Sequence, residues 1–114
     1  YIMSEYYERK DLQAFGKGEL GELDKELWNK FMAYYGDVFA EGALTTREKN
    51  LIALAVAHAV HCPYCIEAYT EASLQSGCDN KELMEAVHVA TAITGGAVLA
   101  HGTQMKKLID ELEF

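Results

Sequence analysis

Ten consecutive residues, Leu51-Ile52-Ala53-Leu54-Ala55-Val56-Ala57-His58-Ala59-Val60, carry no formal charge and lie between a helix-start signal and the only proline of the chain. Thr45-Thr46-Arg47-Glu48 reads as a capping box: the Thr45 hydroxyl reaches the Glu48 amide, the Glu48 carboxylate reaches back, and a helix starts there. A helix that is apolar on every side has no face to offer water, so this one is expected to be buried all round. Pro63 disfavours helical geometry at Cys62 and suits a first helical position, which ends one helix near Val60 and starts another at Pro63. The second helix is expected to run to about Gln75 and stop at Ser76-Gly77, after which Asp79-Asn80-Lys81-Glu82 repeats the capping pattern.

The remainder of the chain also reads as helix. Good helix formers dominate and no run alternates apolar with polar residues, so the fold class is all-α. Ser4 to Phe15 is expected to form an amphipathic helix or arm closed by Gly16-Lys17-Gly18. From Leu20 to about Phe39, the residues Leu23, Leu27, Trp28, Phe31, Met32, Tyr35 and Phe39 mark one helical face, with Gly36 bending or ending it early. Gly95-Gly96 is expected to interrupt the last long helix. A length of 114 residues fits one domain, with N-terminal helices over 1–43 and a core over 44–114.

Eighteen acidic against ten basic residues give a formal charge of −8, which disfavours nucleic acid or an anionic membrane as partner. Tyr1 to Leu12 is polar and aromatic, and no secretion signal is visible there. Ala86 to Met105 lacks Asp, Glu, Lys and Arg and is long enough to raise the question of a membrane span. His88, His101, three Thr, three Gly and Gln104 within it favour a buried helix instead, one in which the imidazoles need partners. Three cysteines are too few for a disulfide-stapled scaffold, which points to a reducing compartment, the cytoplasm.

Chemistry concentrates at Cys62-Pro63-Tyr64-Cys65. A Cys-x-x-Cys pair at a helix start can open and close a disulfide, since the spacing brings the sulfurs together and the helix N-terminus favours thiolate. A structural zinc site using His58, His61, Cys62 and Cys65, or two inert buried thiols, are the competing readings. His58, four residues before Cys62, is a candidate proton shuttle or a hydrogen-bonded core histidine. Glu48 most simply caps its own helix. Glu67 lies one turn into the dithiol helix, where a carboxylate is stabilising and an acid–base role is open. Tyr64 and Tyr69 flank Cys65 as hydrogen-bond donors or as packing groups. Cys78 reads as a spectator thiol.

Leu44 to Gly102 resembles the carboxymuconolactone decarboxylase and alkylhydroperoxidase D superfamily. The residues that carry the likeness are Arg47-Glu48-Lys49, Leu51 to Ala57, Cys62-Pro63-Tyr64-Cys65, Glu85 to Ile93 and Gly95-Gly96-Ala97. The leading part, with Phe31-Met32-Ala33-Tyr34-Tyr35-Gly36 and Phe39 to Leu44, resembles peroxidase-like proteins associated with arsenosugar biosynthesis. The resemblance implies an all-helical fold, homotrimers or homohexamers, and disulfide reduction with weak hydroperoxide turnover. It implies no metal, haem or flavin. It nominates Cys65 as peroxidatic, with Cys62 resolving. Alkylhydroperoxidase D carries a glutamate twelve residues before its first cysteine and a histidine four after its second; here those positions are Asn50 and Tyr69, so its proton relay does not carry over. His58 with Glu48 or Glu67 is the nearest replacement.

The expected activity is thus a thiol-dependent oxidoreductase acting on a hydroperoxide or disulfide, reset by an external dithiol reductant. A cofactor-free lyase of the decarboxylase kind and a non-enzymatic oligomeric module are the alternatives. Two long uncharged helical regions in so short a chain independently predict self-association.

Overall fold

The computed structural model describes residues 8–112, and no strand occurs among them. Five helices follow one another: α1 (Arg9–Gly16), α2 (Lys25–Phe39), α3 (Thr46–Ala59), α4 (Pro63–Gln75) and α5 (Asn80–Glu111), with a 3₁₀ turn over Glu19–Glu22. The expected arm from Ser4 begins outside the described residues. The expected helix from Leu20 is divided: Asp24 caps α2 by accepting from the Leu27 amide at 3.3 Å, and Leu23 before it is 86 % exposed. Gly36 does not stop α2, which runs on to Phe39.

The core is the α3–α4 pair. Leu54 and Ala57 of α3 are almost fully buried, as is Ser73 of α4. Asn50, also buried, donates from Nδ2 to the Ala72 carbonyl at 3.4 Å and to Ser76 Oγ at 3.3 Å, tying the start of α3 to the end of α4. Both expected capping boxes are present, at Thr45 with Glu48 and at Asp79 with Glu82. Hydrogen bonds from the cap residues hold the Glu48 and Glu82 carboxyls below the usual range, and an Arg47–Glu82 ion pair links the two helix starts.

Both core helices end alike. The His61 amide donates to the His58 carbonyl and the Cys62 amide to Ala57; sixteen residues later Gly77 donates to Leu74 and Cys78 to Ser73. This is the pairing of a Schellman stop, with the left-handed residue His61 (φ 57°) in one case and Gly77 (φ 92°) in the other.

Two expectations fail on packing. Helix α3 is not buried all round: Ile52, Val56 and Val60 form an i, i+4, i+8 stripe that is 51 %, 53 % and 63 % exposed. Helix α5 is unbroken across Gly95-Gly96. Each glycine costs about 1 kcal/mol relative to alanine, too little to interrupt a helix capped at Asp79 and laid along α3. Only the first third of α5 packs on the core, through Leu83, Ala86, Val87 and Ala90; the rest projects, and His88 and His101 are exposed rather than buried. By length and composition α5 could also cross a membrane. The projection gives a radius of gyration of 18.9 Å, above the about 13 Å of a spherical domain of this size.

Ser73 Oγ finds no partner among the described residues although its side chain is sealed from solvent. Ser73→Ala is therefore expected to stabilise the fold by about 1 kcal/mol, read as a higher midpoint in urea. At the α3–α4 joint, His61→Gly relieves a left-handed strain of about 1 kcal/mol, and His61→Val, which is β-branched, aggravates it. Denaturation midpoints should therefore rank the variants Gly above wild type above Val.

Candidate active site at the Cys62–Cys65 pair

Cys62 stands where two helices meet. Its amide closes α3 on the Ala57 carbonyl at 3.0 Å, and its Sγ caps α4 by accepting from the Cys65 amide at 3.2 Å. Pro63 at the first position of α4 has no amide to leave unsatisfied. One turn of α4 then carries Cys65 back beneath Cys62, with Cα atoms 5.3 Å apart, and the two sulfurs are joined as a disulfide. In this oxidised state the two sulfurs are bonded to each other, and among the described residues no three His, Cys, Asp or Glu side chains gather as a metal site would require. The third cysteine, Cys78, is buried and free at the stop of α4.

The disulfide lies on the wall of a cavity of about 660 Å³. Tyr64, Ala68 and Tyr69 of α4 continue its floor, Tyr35 of α2 forms one side, and Leu12, Phe15, Leu20 and Leu23 supply most of its roof. The roof is held by Trp28. A Cβ on Gly21 would come within 2.7 Å of the indole, so only glycine lets the 3₁₀ turn sit against α2. Phe15 meets the same indole edge-on at 5.1 Å. Helix α1 is further pinned to α4 by the Arg9–Glu67 ion pair at 2.7 Å and by a 3.4 Å hydrogen bond from the Tyr64 hydroxyl to Asp11.

A second cavity of about 430 Å³ opens on the other side of Cys65 and Tyr69, toward Val38, Leu44 and the exposed α3 stripe. Tyr69 is thus shared by both cavities. Its ring stacks on Phe39 at 5.1 Å and its hydroxyl is hydrogen-bonded to that of Tyr35. Burial, and then the Tyr35 hydroxyl, push the Tyr69 phenol far above its ordinary pKa, so it remains a neutral donor. Tyr64 is also raised, first by desolvation and then by Asp11.

The expected site residues therefore divide. Cys62, Cys65 and Tyr69 converge on one surface. His58 donates from Nδ1 to the Leu54 carbonyl of its own helix at 2.8 Å, keeping Nε2 as the open nitrogen, and lines neither cavity. Glu48 caps α3 with Thr45, and Glu67 binds Arg9; neither lines either of these two cavities. Asn50 works as a tie between helices. The residue that sequence reading missed is Tyr35, counted there with the apolar face of α2; no pattern in the chain couples α2 to α4, and only the fold brings the two phenols together.

Comparison with known proteins agrees with this architecture. A Paracoccus denitrificans protein named uncharacterized protein 4 in cox locus is 38 % identical over 96 residues, spanning 84 % of this chain and 86 % of its own. A crystal structure of a Methanobacterium thermoautotrophicum protein superposes with a TM-score of 0.71 at 34 % identity, covering 74 % of this chain and 94 % of its own. The carboxymuconolactone decarboxylase family profile matches residues 25–105, the span from α2 into the C-terminal part of α5. The chain belongs to the carboxymuconolactone decarboxylase family, in its alkylhydroperoxidase D-like superfamily.

Proposed function

We propose that the protein is a thiol-dependent oxidoreductase that cycles Cys62 and Cys65 between dithiol and disulfide, reducing a hydroperoxide or a disulfide. The observation that carries this reading is the bonded pair at the start of α4, open to an apolar cavity and next to a protonated phenol. In the reduced state the Cys65 thiolate attacks the distal oxygen of the hydroperoxide. The O–O bond breaks, Cys65 becomes a sulfenic acid and the leaving alkoxide takes a proton. Tyr69, backed by Tyr35, is the hydrogen-bond donor for that developing oxyanion. Cys62 thiolate then displaces hydroxide from the sulfenic sulfur, which leaves as water, and the disulfide forms.

An external dithiol reductant resets the pair. Its thiolate attacks Cys65 Sγ and releases Cys62, whose sulfur is the better leaving group because the Cys65 amide donates to it. The second thiol of the reductant then frees Cys65. Such a cycle belongs in a reducing compartment, which supports cytoplasmic residence. Treating the reduced protein with one equivalent of hydroperoxide is expected to remove two hydrogens, mapped by intact mass and peptide analysis to Cys62 and Cys65; unchanged thiols would refute the reading. Tyr69→Phe, which keeps the Phe39 stack, is expected to slow this oxidation about 100-fold in stopped flow, in line with one lost oxyanion donor. An unaltered rate would remove the phenol from the mechanism.

We further propose that the protomers assemble, as a homotrimer or homohexamer. Ile52, Val56 and Val60 on α3 and Val89, Ile93, Val98 and Leu99 on α5 are all more than half exposed in a single chain. Apolar helical faces of this extent on a soluble protein are ordinarily covered. The Thr91 and Thr94 hydroxyls are satisfied within α5, donating to Val87 and Ala90, which leaves the helix able to bury against protein. Light scattering is expected to report three or six times the protomer mass of 12.7 kDa, and a monomer would overturn the assembly.

A further inference from the structure

The cavity beside the disulfide carries charge of one sign. Among the described residues its ionisable side chains other than tyrosines and the two cysteines are Asp11, Glu19 and Glu22, all at the roof, and none of its described lining residues is a lysine, arginine or histidine. The two cations in the first turn of α1 each have an acid of their own, Arg9 with Glu67 and Lys10 with Glu8; Lys10 also feels the Asp11 carboxylate, so the negative sign of the rim rests chiefly on Glu19 and Glu22. Beneath that rim the walls are leucine, phenylalanine and tyrosine, and at about 660 Å³ the space far exceeds what hydrogen peroxide needs. A carboxylate entering here meets three like charges against a low-dielectric wall, where their field is focused. An ammonium meets the same charges as attraction and the tyrosine rings as cation–π partners.

We infer that the dithiol cavity selects its oxidant by charge, taking apolar-bodied hydroperoxides or disulfides that are neutral or cationic and turning away those that carry carboxylates. This deepens the redox reading and rests on it. Asp11, Glu19 and Glu22 are specificity-determining residues that act on approach and binding, without touching the sulfur chemistry. With a disulfide as oxidant, the Cys65 thiolate attacks one sulfur and expels a thiol; Cys62 then closes on Cys65 and expels the second. The two electrons and two hydrogens lost by the dithiol appear in those two thiols.

The test uses three aliphatic disulfides on the full-length reduced protein: cystamine, bis(2-hydroxyethyl) disulfide and 3,3′-dithiodipropionate. Each rate of dithiol oxidation is divided by the rate of the same reagent with free dithiothreitol, which removes intrinsic reactivity. Cystamine is expected to exceed dithiodipropionate by about 10-fold or more at low ionic strength, with the neutral reagent between, and the spread should shrink in molar salt as screening sets in. Glu19→Gln with Glu22→Gln should reduce the spread several-fold. Glu71→Gln with Glu85→Gln, which changes net charge equally at residues lining neither cavity, should leave it intact. Equal normalised rates, or a spread that both double variants reduce alike, would overturn charge selection by the rim. A dithiol inert to all three reagents would overturn the redox reading itself, and the inference with it.

Discussion

The structure turns on one residue that serves two helices. The Cys62 amide completes the stop of α3, and its sulfur completes the start of α4. Neither task alone demands cysteine, since any residue donates an amide and serine or aspartate caps well. Together with Pro63 they fix the turn tightly enough that a sulfur one helical turn later falls within bonding reach. The disulfide is therefore a by-product of how two helices are joined, and its geometry is as rigid as the α3–α4 core beneath it. His61, held left-handed without being glycine, is where that rigidity shows in the backbone.

Helix boundaries were legible because they rest on local chemistry. Thr45 with Glu48, Asp79 with Glu82, Pro63 and Gly77 each act within four residues of themselves, and the structure has each where its pattern lies. The dithiol was legible for the same reason. Burial was not. Uncharged sequence says that water is disfavoured on all sides of α3 and α5, but it does not say which molecule covers them, and one chain leaves Ile52, Val56, Val60 and most of α5 open. Glycine was misread through a related error: Gly36 and Gly95-Gly96 weaken a helix by propensity, yet a long capped helix propagates through them.

The site was only half visible. Cys62, Cys65 and Tyr69 lie within one segment, so helical spacing alone brings them together. Tyr35 is separated from Tyr69 by the whole of α3, and its meeting with that phenol depends on the path of the chain between them. The acid–base groups chosen by nearness in sequence, His58, Glu48 and Glu67, each have a structural partner instead: a backbone carbonyl, a helix cap and an arginine of α1. Where the resembled relay has a carboxylate and an imidazole, this chain has Asn50, which ties two helices together, and Tyr69, whose phenol meets that of Tyr35.

The roof of the dithiol cavity has a different standing in the chain from its floor. Asp11 to Leu23 supplies the residues that close over the disulfide, and all of them precede residue 25, where the match to the family profile begins. Trp28, just inside the matched span, is the anchor on which that leading segment hangs. The disulfide and the residues that close over it therefore lie on separate stretches of the chain. Replacement of the first two dozen residues would change what closes over the sulfurs without altering the α3–α4 joint that holds them, so the surface above the pair and the geometry of the pair can be varied separately.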